Sequence, residues 1–165
     1  MCAYTEFRLI EEPLLNKIKA GYVAGKYTSA FRPQIPAHIE HFSKARKTTS
    51  GWDWDNLFTT FTEVNFKKNH LEDKYGVDDI LKPDTKKYDP QKYLMYDTSE
   101  HLFFPNSKLN KPDTKKVFNM IIVLGLNNDF IRMKREEYLE NIKFREEYLE
   151  KKQSIHQFYT AYSMM

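Results

Sequence analysis

The chain has 165 residues, 41% hydrophobic and 30% charged, and its 26 Lys and Arg against 23 Asp and Glu leave a net charge of +3. That length suits one domain with a real core and is short for two. The near-balanced charge is no strong nucleic-acid footprint, which would show a segregated basic face, and Cys2, the single cysteine, excludes an intrachain disulfide framework.

Phe, Tyr and Trp (12, 11 and 2) are interleaved with the basic residues along the whole chain. Aromatic faces dominate interface energetics, so this composition argues for contact with other molecules. Met1 to Ile10 carries Glu6 and lacks the basic region and apolar stretch of a secretory signal, and Glu6, Glu11 and Glu12 argue against an acidic-poor transit peptide. The longest apolar run, Val117 to Leu126, is interrupted by Asn119 and Gly125 and falls far below the roughly 20 residues of a membrane span. These features place the expected protein inside the cell, in the cytoplasm or in mitochondria.

In chain order, Glu12-Pro13-Leu14-Leu15 opens a short helix that closes at Gly21, with Pro13 at its first position. A loop with Gly25, Pro33 and Pro36 follows. A second short helix is predicted over Ala37 to Arg46, with Ile39 and Phe42 inward and a basic end in Lys44, Arg46 and Lys47. Asp53 reads as the cap of a third helix from Trp54 to about Lys68, with Trp52 stapled onto Leu57, and Trp54, Leu57, Phe58, Phe61 and Val64 at helical spacing.

Periodicity fades from Asn69 to Asp113, which holds Pro83, Pro90, Pro105 and Pro112. The stretch reads as an arm lying along a partner, or as short strands at Tyr93 to Met95 and Leu102 to Phe104. Asp113 or Thr114 caps a helix through Val117, Phe118, Ile121, Ile122 and Leu124 that ends near Gly125. Asn127 or Asn128 then caps a long helix from Asp129 toward Tyr159 with Ile131, Tyr138, Ile142 and Leu149 as its stripe. The expected fold is therefore mainly α: short N-terminal helices, an extended irregular arm and a long C-terminal helix, with room for minor short strands. As one domain, 1–165, it divides into a helical part (1–68), the arm (69–113) and a helical hairpin or long helix (114–165).

Two hexapeptides recur. Arg135-Glu-Glu-Tyr-Leu-Glu140 returns as Arg145 to Glu150, and Lys82-Pro-Asp-Thr-Lys-Lys87 returns as Lys111 to Lys116. A ten-residue shift along a helix turns the first motif by about −80°, so Tyr138-Leu139 and Tyr148-Leu149 face different neighbours. The second motif carries turn and cap chemistry, or a pair of basic contacts.

Chemistry-bearing patterns are weak. Gly21 to Thr28 resembles a phosphate loop but spaces its glycines three residues apart, with Tyr27 where a hydroxyl ligand belongs. His38 and His41 are three apart, close enough on a helix to share a metal, but no spacing points to further ligands among His70, Glu72, Asp73 and His101. Asp53 and Asp55 form a carboxylate pair better explained by capping, and Cys2 lacks a neighbouring base. No catalytic residue, cofactor or metal is expected.

The function expected is that of a non-catalytic accessory or structural subunit of a larger intracellular protein assembly. Its partner-binding residues would be Trp52, Trp54, Tyr88, Tyr93, Tyr96, Phe103, Phe104, Tyr138, Leu139, Tyr148 and Leu149. Two alternatives are a small effector that inhibits a cellular enzyme, and a nucleic-acid-binding protein. The second would use Lys44, Arg46, Lys47, Lys67, Lys68, Lys86, Lys87, Lys115 and Lys116 with stacking aromatics. Acidic neighbours such as Asp78 and Asp79 beside Lys82 weigh against it.

Overall fold

A computed structural model describes residues 1–20, 22–23, 26–27, 36–50, 52–86 and 88–165. Gly21, Gly25 and Thr28 of the glycine-spaced stretch, Pro33 of the loop, Gly51 before the Trp pair and Lys87 of the first Lys-Pro-Asp repeat lie outside the described residues.

The elements run α1 (Glu12–Ala20), β1 (Tyr22–Val23), β2 (Lys26–Tyr27), β3 (Ala37–His41), α2 (Lys47–Ser50), β4 (Leu57–Phe61), α3 (Thr62–Tyr75), α4 (Pro90–Tyr93), β5 (Leu94–Asp97), β6 (Leu102–Pro105), α5 (Lys111–Val123), α6 (Asp129–Leu149) and α7 (Tyr159–Tyr162). Short 3-10 turns occupy Lys44–Arg46, Trp54–Asn56 and Asp79–Leu81. The architecture is mixed α/β. Antiparallel pairs β1-β2, β3-β4 and β5-β6 each form a two-stranded sheet.

This overturns the expected mainly helical fold at three places. Ala37 to His41, read as helical, is a strand whose Ile39 pairs with Thr59 of β4, and Ile39 points to solvent. The predicted helix from Trp54 to Lys68 is instead a 3-10 turn, then β4, then α3. Its apolar spacing of three and four fitted a helix, but Leu57-Phe-Thr-Thr-Phe61 is rich in β-branched and aromatic residues, and a partner strand about twenty positions upstream decides such a case by pairing. The expected irregular arm is also folded: Leu81, Leu94 and Phe103 enter the core, and β5 and β6 stand at the two segments marked as strand candidates.

The C-terminal helix stops early. Glu150 adopts a left-handed conformation (φ 49°) and ends α6 after 21 residues, about 32 Å, so the chain folds back instead of projecting. Thr160 of α7 donates its backbone N–H and its hydroxyl to the Glu6 carboxylate at 2.8 and 2.7 Å. The N-terminal segment is thereby tied to the C-terminus, and Cys2, Tyr4 and Leu9 are buried with Phe158 and Ala161.

Sequence capping signals account for the starts of α5 and α6. Asn128 Oδ1 accepts from Phe130 N and Ile131 N at 3.1 and 3.3 Å. Asn110 Oδ1 accepts from Asp113 N at 2.9 Å, which starts α5 ahead of the expected Asp113 or Thr114 cap. Gly125 follows α5 with φ +64°, and a Cβ there would lie 3.2 Å from Val64 Cγ1. Gly125→Ala therefore meets both a backbone conformation unfavourable to a residue with a Cβ and a buried valine. It is expected to cost more than about 1 kcal/mol in urea melts.

Each repeat takes two different roles. Lys82 to Lys86 forms a turn after Asp79–Leu81, with Thr85 N donating to Lys82 O at 3.3 Å, whereas Lys111 to Lys116 is the first part of α5. The same letters differ in fate because Asn110 caps the second copy.

Candidate protein-binding site

Trp52 and Trp54 are 92% and 86% exposed. Neither packs inward, and neither makes the staple expected of a helix entrance. Asp53 begins the 3-10 turn without a side-chain cap bond. The turn is nonetheless fixed. Asn56, fully buried, accepts from Ser43 N at 3.0 Å and donates to Ser43 O at 3.3 Å, while its carbonyl accepts from Phe42 N at 2.8 Å. Arg46 donates to Asp55 Oδ2 at 2.8 Å, which holds the Asp55 carboxyl below its ordinary range. Two indoles thus stand in water on a backbone clamped to the end of β3, and binding would cost little ordering of that backbone.

A second exposed aromatic patch lies at the end of α6. The Phe144 and Tyr148 rings stack at 6.2 Å with an 11° interplanar angle, and they are 66% and 78% exposed, with Leu149 beside them. The first repeat copy has the opposite fate. Leu139 is fully buried, and Tyr138 packs on Phe158 while its hydroxyl accepts from His156 N at 2.9 Å. The rotation between the copies separates an inward pair from an outward one, so Tyr138 and Leu139 serve the chain's own core.

The third feature is an apolar groove of about 350 Å³ between α3, α5 and β6, lined by Val64 and Leu71, Phe118 and Ile122, and Phe103 and Phe104. Phe104 and Phe118 are half exposed at its rim.

The remaining aromatic residues of the expected partner site, Tyr88, Tyr93 and Tyr96, are half-buried. Burial pushes the Tyr88 and Tyr96 hydroxyls up to about 12. The Tyr96 hydroxyl is hydrogen-bonded to His101 Nδ1 at 2.6 Å. Tyr93 contributes its carbonyl to Asn106 N at 2.8 Å. The Tyr93 and Tyr96 side chains pack against the core, and the Tyr88 hydroxyl is hydrogen-bonded to Thr160.

His38 and His41 lie on β3 rather than a helix, which puts residues three apart on opposite faces. His38 Nδ1 instead meets Asn65 Nδ2 at 3.2 Å. Among the described residues no group of three His, Cys, Asp or Glu is placed to hold a metal, and no helix is long and apolar enough to cross a membrane.

Several of the basic residues are paired with carboxylates. Lys44 pairs with Asp73, Lys67 with Glu63 at 3.1 Å, Lys82 with Asp84, and Lys116 with Asp78 at 3.0 Å. Lys68 is fully buried, 2.6 Å from Glu40 and 2.8 Å from Glu72. Sequence reading missed Lys68 and Arg135 as interior groups, because long charged side chains read as surface by default. Only their position on the inward face of a helix could have marked them. No family model matches the chain, and comparison with curated proteins returns no relative.

Proposed function

We propose that the chain is a non-catalytic accessory or structural subunit of a larger intracellular protein assembly, docking through the Trp52-Trp54 turn and the exposed end of α6. The observation that carries this reading is the pair of indoles held in water on a clamped turn. Large rigid aromatics of this kind are the residues that dominate interface energies, and an isolated chain gains nothing from exposing them.

Charge favours a protein partner over nucleic acid. Asp53 and Asp55 flank the indoles, and Arg46 is paired with Asp55, so phosphates would meet carboxylates beside the stacking surface. The test is affinity purification of the tagged chain from its source cells, with Trp52→Ala and Trp54→Ala in parallel. A stoichiometric protein partner is expected, bound at least about 30-fold more weakly by either variant. Melts of both variants should stay within about 0.5 kcal/mol of the parent. Undiminished binding by the double variant would remove the basis of the proposal.

A further inference from the structure

We infer that the groove between α3 and α5 is a second docking site, and that its occupant is an amphipathic helix of a partner protein carrying carboxylates beside its apolar anchors. The inference rests on the assembly reading and adds the chemistry of one partner segment.

An extended segment fits the groove poorly. An extended segment would have to add to β6, whose outward groups belong to residues 101, 103 and 105, because Tyr96 and Phe103 are partners across the hairpin and Phe103 points its backbone away from β5. The central ones are already taken. Asn127 Oδ1 accepts from Phe103 N and Asn127 Nδ2 donates to Phe103 O, both at 2.8 Å. His101 O accepts from Arg135 Nη1 at 2.8 Å, and Pro105 has no N–H. A strand laid here would bring its own backbone polar groups to an edge whose ladder is interrupted at Phe103 and Pro105, whereas a helix satisfies them internally. A small ligand fares little better: Asn127 holds Phe103 through both amide atoms, Asn128 caps α6 and Lys67 pairs with Glu63, so few polar groups of the lining are left to orient it.

Charge beside the groove favours an acidic occupant. On α5, Lys111, Lys115, Phe118 and Ile122 follow at spacings of four, three and four, one stripe along the helix. Phe118 and Ile122 line the groove. Lys111 and Lys115 continue the stripe toward the N-terminus of α5, both exposed, and neither forms an ion pair among the described residues. Asp113 is turned about 200° from each of them and does not offset that face. Of the charged groups that line the groove itself, Lys67 is paired with Glu63 and Asp129 stands at the start of α6, so the positive face offered beside it is that of Lys111 and Lys115. An occupant with apolar residues at i, i+3 or i+4 and i+7, and with Asp or Glu one to two turns from them, matches both the apolar floor and the two lysines.

The experiment is a selection from a random-peptide display library on the full chain. A fluorescein-labelled enriched peptide is then titrated against the parent, Phe118→Asp, Lys111→Glu/Lys115→Glu and Trp54→Ala. Phe118 is 53% exposed, so its variant is expected to fold, which a urea melt checks before the titration. The enriched peptides are expected to share the helical apolar spacing and an acidic bias. Kd should rise at least tenfold in Phe118→Asp, peptide preference should turn from Glu to Lys in the doubly reversed variant, and Trp54→Ala should bind as the parent does. No enrichment, enrichment without acidic bias, or binding that survives Phe118→Asp would overturn the inference. Because Trp54→Ala reads out the assembly surface separately, loss of partner binding there with an inert groove would leave the proposed function standing and this inference refuted.

Discussion

Arg135→Ala should lower the unfolding free energy by about 3–5 kcal/mol, while Arg145→Ala, the matching position of the second repeat, should stay within about 0.5 kcal/mol of the parent. Arg135 is 1% exposed. It donates to His101 O at 2.8 Å and to Leu126 O, and its guanidinium lies 4.6 Å from the centre of the Phe103 ring. Truncation leaves two buried carbonyls unpaired and empties the space over the ring. Burial pushes the group down to about 10, so it is still charged at neutral pH and its loss cannot be offset by deprotonation. Arg135→Lys should recover only part of the loss, because an ammonium cannot fork to two carbonyls in a plane. Urea melts of the three variants read the difference directly, and equal effects at positions 135 and 145 would contradict the inward and outward assignment of the repeats.

The second large effect is expected at Lys68. Its ammonium lies between Glu40 and Glu72 and also donates to His41 O at 3.0 Å, while Glu72 accepts from Lys44 N at 2.8 Å. Lys68→Met strands two buried carboxylates and should cost about 3–5 kcal/mol. Glu40 is the weaker partner: its Oε1 has no aligned hydrogen bond, and burial raises its carboxyl above 4.5 despite the nearby ammonium. A raised folded-state value means that the protonated form is favoured by folding. The stability it contributes is present below 4.5 and is lost as pH rises through the folded value. Glu40→Gln, which keeps the neutral form at every pH, should therefore gain stability relative to the parent between pH 4 and pH 7. Melts at the two pH values test this, and an opposite trend would mean that the ion pair outweighs burial at Glu40.

Local chemistry made some elements readable. Asn128 and Gly125 bound their helices because a cap and a left-handed residue act within one turn, and the hairpin strands were visible as short aromatic runs. β3 and β4 were not readable, because Ile39 and Thr59 become strand residues only through each other, and the apolar spacing around Leu57 satisfies either geometry. Phe103 and Phe104 carried the same aromatic signal, yet neighbours on a strand face opposite ways, so one enters the core and the other the groove rim. The groove itself was invisible, since α3 is distant in sequence from the consecutive β6 and α5 that complete it. Trp52 and Trp54 stood out by type, but the sequence pattern packed them into a helix entrance, and their exposure follows from the clamp at Asn56, which no periodicity announces.

The doubled Arg-Glu-Glu-Tyr-Leu-Glu segment also bears on how the gene can change. Since identical hexapeptides differ in burial only through helical phase, one added codon between Glu140 and Arg145 would set the copies eleven residues apart. That would bring them to within about 20° of each other, turning Tyr148 and Leu149 toward the side that Tyr138 and Leu139 occupy. Point substitutions in the second copy would leave the core untouched, whereas a single insertion that alters no existing residue would erase the aromatic patch at the end of α6. The length of the Asn141-Ile-Lys-Phe144 spacer, more than its composition, is what that surface depends on.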